Sequence, residues 1–198
     1  VVTPDGTVRT VDAEHEQELF WGIRGGGGNL GVVTRLKLAL HDVSEMTGGM
    51  LVLPADPEVL VGIVEVATRA PDALTLIANV MVAPPMPFLP RQLHGQLITM
   101  MLVAHAGPRG EAERDLAALR TLAEPLLDQL GPISYSSLFE GGPSEDAHPA
   151  ALTRTMYRTT FGPSEAATAL DGLQRSTADM AVVQLRPLGG AIARVPAD

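Results

Sequence analysis

Residues 20–34 read Phe-Trp-Gly-Ile-Arg-Gly-Gly-Gly-Gly-Asn-Leu-Gly-Val-Val-Thr, with four consecutive glycines at Gly25 to Gly28. Ordering glycine costs more backbone entropy than ordering any other residue. A folded chain keeps such a run where positive φ is needed, or where another backbone or a ligand comes very close. The flanks say more. Glu16 to Arg24 reads as a short helix, with acidic residues near its start and Arg24 at its end, as the helix dipole favours. Leu30 to Leu40 alternates imperfectly in the manner of a strand. The spacing Gly26-x-Gly28-x-x-Gly31 fits the dinucleotide fingerprint, but that fingerprint needs a strand before it and a helix after it, so that a pyrophosphate meets a helix N-terminus. The inverted order argues against a Rossmann site. A Walker loop is excluded because no Gly-Lys-Ser/Thr follows. On the residues alone, a tight helix-to-strand turn and a ligand-facing loop stand level.

Around this loop the chain divides into two regions. Val1 to Val11 reads as a hairpin about Pro4-Asp5-Gly6, and His41 to Thr47 as a linker. A second region begins near Gly48. The pattern predicts strands at Met50 to Leu53, Leu74 to Ala83, Gln92 to Ala104, Thr153 to Phe161, Met180 to Leu185 and Gly190 to Val195. It predicts helices at Asp56 to Ala70, Glu111 to Leu127 and Ser164 to Arg175. Asp56 and Ser164 stand as N-caps and Pro57 sits in a first turn. Pro132 to Phe139 reads as irregular and Gly141 to Pro149 as a polar loop. Adjacent β-β pairs imply hairpins, hence an antiparallel sheet with helices on one face. The expected fold class is α+β, with a partial subdomain at 1–43 and a larger domain at 48–198.

The net charge of −9 over 198 residues argues against nucleic-acid binding, which needs a basic face, and against anionic membrane surfaces. With no cysteine, disulfide and thiolate chemistry are excluded within the chain. No apolar run approaches the ~20 residues of a membrane helix: Leu74 to Leu89 is broken by Pro84, Pro85 and Pro87. No signal segment is visible, so a cytoplasmic location is the expectation. The histidines His15, His41, His94, His105 and His148 lack metal-ligand spacing, so no metal is expected. Ser134, Ser136 and Ser137 lack a nucleophile elbow.

Val1 to Leu40, with Val-Val-Thr-Pro-Asp-Gly, Glu18-Leu19-Phe20-Trp21 and Ile23 to Thr34, closely resembles the latter part of the flavin domain in FAD-linked oxidases of the berberine bridge enzyme type, in the vanillyl-alcohol oxidase superfamily. The remainder resembles that family's substrate domain, down to Leu188-Gly189-Gly190-Ala191-Ile192-Ala193-Arg194-Val195-Pro196. The resemblance implies FAD as cofactor of the longer protein, extended between two subdomains with its ring facing a cavity under the substrate domain's sheet. It implies that Gly28, Asn29, Gly31, Val32 and Val33 run along the cofactor. The family's N-terminal pyrophosphate loop, its His or Cys flavin attachment segment and its C-terminal Asn-Tyr segment are not among these residues. The chain is therefore expected to be a fragment of a PCMH-type oxidase, inactive alone, whose parent moves a hydride from an alcohol, sugar or secondary-metabolite carbon to flavin.

If the sheet faces a small-molecule substrate, one face of each strand carries the contacts. Tyr157, which can stack and hydrogen-bond, leads the candidates, with Gln96, Gln184 and Arg186 as neighbours. No catalytic residue stands out. The competing reading is a non-catalytic α+β binding module without flavin. Its exposed sheet edges would favour a homodimer.

Overall fold

The computed structural model describes residues 1–41, 43, 45–139 and 151–194. The chain forms two units, Val1–Asp42 and Val43–Asp198.

In the first unit, the expected turn at Pro4-Asp5-Gly6 is present. Thr3 N–H donates to Thr7 O (3.0 Å), and Gly6, at φ 77°, donates to Thr3 O (2.9 Å). The Thr3 hydroxyl and the Thr7 N–H both donate to Asp5, which holds its carboxyl well below the usual range. Val2 bridges Val8 on one side and Val32 on the other. Helix α1 spans Gln17–Ile23. The Arg24 N–H closes on Trp21 O, and the Arg24 guanidinium stacks 4.3 Å over the Phe20 ring. Glycine ends the helix as expected, but the strand expected from Leu30 to Leu40 is not formed. A short 3-10 turn covers Gly28–Leu30, and Val32 alone is paired, with both its N–H and its carbonyl bonded to Val2 at 2.9 Å. Alternation supplies a face but no partner, and Val2 offers a ladder one residue long.

The second unit contains β1 (Met46–Pro54), α2 (Pro57–Arg69), β2 (Leu74–Val82), β3 (Leu97–Ala106), α3 (Arg109–Arg120), the two-residue strands β4 (Leu127–Asp128) and β5 (Gly131–Pro132), α4 (Pro163–Arg175), β6 (Val182–Leu185) and α5 (Gly190–Ala193). All pairings are antiparallel, in the order β4-β1-β3-β2-β6, with β5 also on β1. The register sets the faces. Leu51 opposes Met101, and Met101 opposes Ala78. Leu51, Leu53, Leu76, Ala78, Val80, Met101 and Val103 therefore point one way. There they meet the i, i+3/i+4 stripes of the helices: Val59, Leu60 and Ile63 of α2, Ala112, Leu116 and Leu119 of α3, and Ala166, Leu170 and Leu173 of α4. This is the expected α+β sheet with helices on one face.

Polar contacts fix this layer. His105, wholly buried on β3, places Nε2 2.9 Å from Asp115 Oδ2 on α3, while its Nδ1 has no partner. Arg120 at the end of α3 reaches Asp128 on β4 (Nε to Oδ2, 2.6 Å). Helix α4 starts at Gly162, whose N–H donates to Glu165 Oε2 (3.1 Å), and not at Ser164.

Three further expectations are corrected. The helix from Glu111 stops at Arg120 and does not run to Leu127. Pro125 has no N–H to continue it and steers Glu124 away from α geometry, and Leu126 instead donates to Val52 O (2.8 Å). Residues 151–162 form no strand; Phe161 packs against the core, but the alternating segment before it lies exposed without a ladder. Gly190–Ala193 is a helical turn, not a strand, and its start sits on Asp72, which pairs with Arg194. The polar loop expected at Gly141 to Pro149 and the terminus from Val195 lie outside the described residues.

Candidate functional site

The candidate site residues fall in two places, one in each unit. In the first, the glycines separate by cause. A Cβ at Gly26 would sit 2.2 Å from Gly22 O, and one at Gly31, with φ 145°, would sit 2.6 Å from Val2 O. Those glycines are required by the fold. Gly25 and Gly27 need positive φ, at 117° and 78°. Gly28 has neither constraint: its φ lies outside the left-handed region and an added Cβ would meet nothing within 4 Å. Neither φ nor packing among the described residues requires glycine there, as is also true of Gly110, Gly131 and Gly172. Asn29 beside it is exposed, as are the Val32 and Val33 side chains. The predicted residues Gly28, Asn29, Gly31, Val32 and Val33 thus lie together. Val32 has only its side chain to offer, since its backbone groups are already spent on Val2.

In the second unit, the described residues cover only part of the sheet face opposite the helices. The turn after β2 closes one end of it, where Ala83 and Leu89 pack on Val52, Met81 and Ile98. Beyond that end, Ile77, Asn79 and Met100 are half-buried and Leu102 is 41% exposed. Asn79 sits opposite Met100 on β3 and opposite Gln184 on β6. Gln184 Nε2 donates to Asn79 Oδ1 (2.7 Å), and Arg186 Nε donates to Gln184 Oε1 (2.6 Å). Two predicted residues, Gln184 and Arg186, are therefore joined on this face by Asn79, which sequence reasoning missed. The signal available was one amide inside the otherwise apolar run Leu-Thr-Leu-Ile-Ala-Asn-Val-Met-Val of β2.

The other two candidates are not part of this chain of contacts. Gln96 lies just before β3, and its amide donates to Gln92 O (2.7 Å). Tyr157 is 86% exposed in the unpaired segment, and no sheet face receives it. On the helix side, a cavity of about 330 Å³ lies against α3, β1 and β5. Its arginines are already paired, Arg109 with Glu113 (2.8 Å) and Arg120 with Asp128 (2.6 Å). Among the described residues no three His, Asp or Glu gather to hold a metal, and no helix is long and apolar enough to cross a membrane.

Comparison with known proteins gives these two places a context. No family model matches the chain. Sequence relatives do: the chain is 30% identical over 139 residues to (R)-6-hydroxynicotine oxidase of Paenarthrobacter nicotinovorans, covering 70% of this chain and 29% of that protein. An FAD-linked oxidoreductase of Aspergillus ruber is 43% identical over 56 residues, 28% of this chain and 11% of that protein. The chain's homologues are FAD-linked oxidoreductases. The crystal structure of 6-hydroxy-D-nicotine oxidase from Arthrobacter nicotinovorans superposes with a TM-score of 0.59 at 26% identity, covering 73% of this chain and 32% of that one. The chain thus spans less than a third of the length of the relatives it matches, and shares their α+β architecture.

Proposed function

We propose that this chain is part of an FAD-dependent oxidoreductase of the berberine bridge enzyme type, acting on an alcohol, sugar or secondary-metabolite carbon. The observation that carries the reading is Gly28, a glycine that neither φ nor packing demands, in a chain whose homologues are FAD-linked. Gly28, Asn29 and Gly31 would lie along the cofactor through exposed backbone, with Val32 and Val33 contributing side-chain contact. When bound, FAD would supply the hydride acceptor. The chain's own contribution is positional. The glycine loop lets a planar group approach the backbone more closely than a Cβ would allow. The open sheet face offers an apolar platform at Ile77 and Met100 beside the Asn79–Gln184–Arg186 row, which can hold and orient a substrate. The visible spectrum of the longer protein tests this: flavin absorption is expected as purified or after FAD is added, and a colourless protein that takes up no FAD overturns it.

A homodimerising module without flavin remains the second reading. It is favoured by the outer edge of β6, which meets no strand among the described residues. Light scattering at several concentrations separates the two, since a monomer at all of them removes the second.

A further inference from the structure

The hydrogen bonds on the open sheet face run in one direction. Arg186 Nε–H donates to Gln184 Oε1, and Gln184 Nε2–H donates to Asn79 Oδ1. The arginine is a pure donor, so it fixes which way the Gln184 amide turns, and that amide in turn fixes Asn79. With its oxygen turned to Gln184, Asn79 directs Nδ2, which carries two N–H donors, away from the row. At the other end, the terminal guanidinium nitrogens of Arg186 make no hydrogen bond among the described residues. The two ends of the row therefore present the Asn79 Nδ2 and Arg186 guanidinium donors, while Asn79 Oδ1 already accepts from Gln184.

The charge around the row agrees with this. The chain carries −9, yet none of the strand positions on this face is a carboxylate. Asp128, the acidic residue on β4, points to the helix side and pairs there with Arg120. Arg186, just after β6, is the charged side chain that reaches this row, through Gln184. Beside it, Ile77 and Met100 offer an apolar surface. An arginine with free terminal nitrogens and the Asn79 amide donor next to an apolar platform are complementary to a flat molecule bearing an anionic or strongly accepting oxygen.

We propose that the Asn79–Gln184–Arg186 row selects substrates with a carboxylate, phenolate or enolate oxygen on an apolar ring. Asn79 Nδ2 and the Arg186 guanidinium are the recognising donors, and Gln184 is the positioning residue between them. This rests on the reading of the open face as the substrate-binding one. It adds to that reading the chemical class of substrate.

The test uses the 198-residue chain, ¹⁵N-labelled, titrated with sodium benzoate and separately with benzyl alcohol, while the side-chain amide resonances of Asn79 and Gln184 are followed. Benzoate is expected to shift both and to bind at least ~10-fold more tightly than benzyl alcohol, the worth of one charge-assisted hydrogen bond. Asn79→Leu and Arg186→Gln are each expected to weaken benzoate by about tenfold. Arg186 is exposed, so its variant keeps the fold and the test stands if Asn79→Leu does not. Equal affinity for the two probes, no benzoate shift, or benzoate binding unchanged in Arg186→Gln overturns the proposal. No flavin enters this measurement. A colourless longer protein with intact benzoate selectivity would sink the oxidoreductase reading alone, and a yellow one without selectivity would sink this one alone.

Discussion

The two units solve the folding problem differently. Among the described residues, every buried apolar side chain lies in Val43–Asp198; in the first unit Val8, Trp21, Leu36, Leu38 and Leu40 are all exposed. The second unit is held by a layered core of sheet and helices. The first is shaped by local devices: the Asp5 turn, two bridges from Val2 and glycines at positive φ. The lesson concerns where a substitution will be felt. Burial decides the second unit, and backbone conformation decides the first.

The largest effect that could break this contrast lies in the core. Leu60→Ala, at a fully buried position on α2, is expected to cost about 2–5 kcal/mol in urea denaturation. Trp21→Ala, 72% exposed, is expected to stay within about 0.5 kcal/mol. Equal losses would show that the first unit has a core of its own.

Next comes the pair that pins α3 to the sheet. Asp115→Ala leaves His105 buried with neither ring nitrogen satisfied, at an expected cost of about 1–3 kcal/mol. Asp115→Asn keeps an oxygen for Nε2–H to donate to and should recover most of it. If both variants unfold at the same urea concentration as the parent, the buried bond contributes nothing.

A local effect of about 1–3 kcal/mol is expected for Gly31→Ala, where both φ and the Val2 carbonyl oppose a side chain. Hydrogen exchange at the Val2 and Val32 amides reads it. Gly28→Ala should leave both amides as protected as before while weakening FAD uptake by the longer protein. Loss of protection in Gly28→Ala would return that glycine to a purely structural role.

The smallest effect is electrostatic. Burial pushes the Asp128 carboxyl up, but hydrogen bonds from Arg120 and the Leu130 N–H outweigh it and hold the group below its ordinary value. A carboxyl depressed in the folded state stabilises fully above its unfolded pKa and loses that contribution as pH falls through the folded value. Arg120→Ala should therefore lower stability at neutral pH by up to about 1 kcal/mol, given the partial exposure of the pair. The difference from the parent should shrink as the solution is acidified. A constant difference down to low pH would assign the loss to packing.

Much of this fold was legible in the sequence because its signals are local. Asp56-Pro57 opens α2, the Leu116 and Leu119 spacing marks the buried stripe of α3, and Gly25 stops α1. The misreadings share one cause. The segments Leu30 to Leu40 and Thr153 to Phe161 both alternate like strands, yet neither has a neighbour to pair with along its length. In the glycine run, the sequence left a tight turn and a ligand-facing loop level; only the backbone showed that the chain itself demands glycine at Gly26 and Gly31, while neither φ nor packing demands it at Gly28.

The sequence by itself determined where α1 to α4 lie, the Pro4-Asp5-Gly6 turn, the antiparallel α+β class and the resemblance carried by the glycine loop, because each is written in neighbours a few residues apart. Tertiary structure alone decided which strands found partners. It also decided that Asn79 meets Gln184 across 105 residues of chain. A ladder and a row of side chains on a sheet face depend on what lies alongside in space, and no spacing along the chain records that.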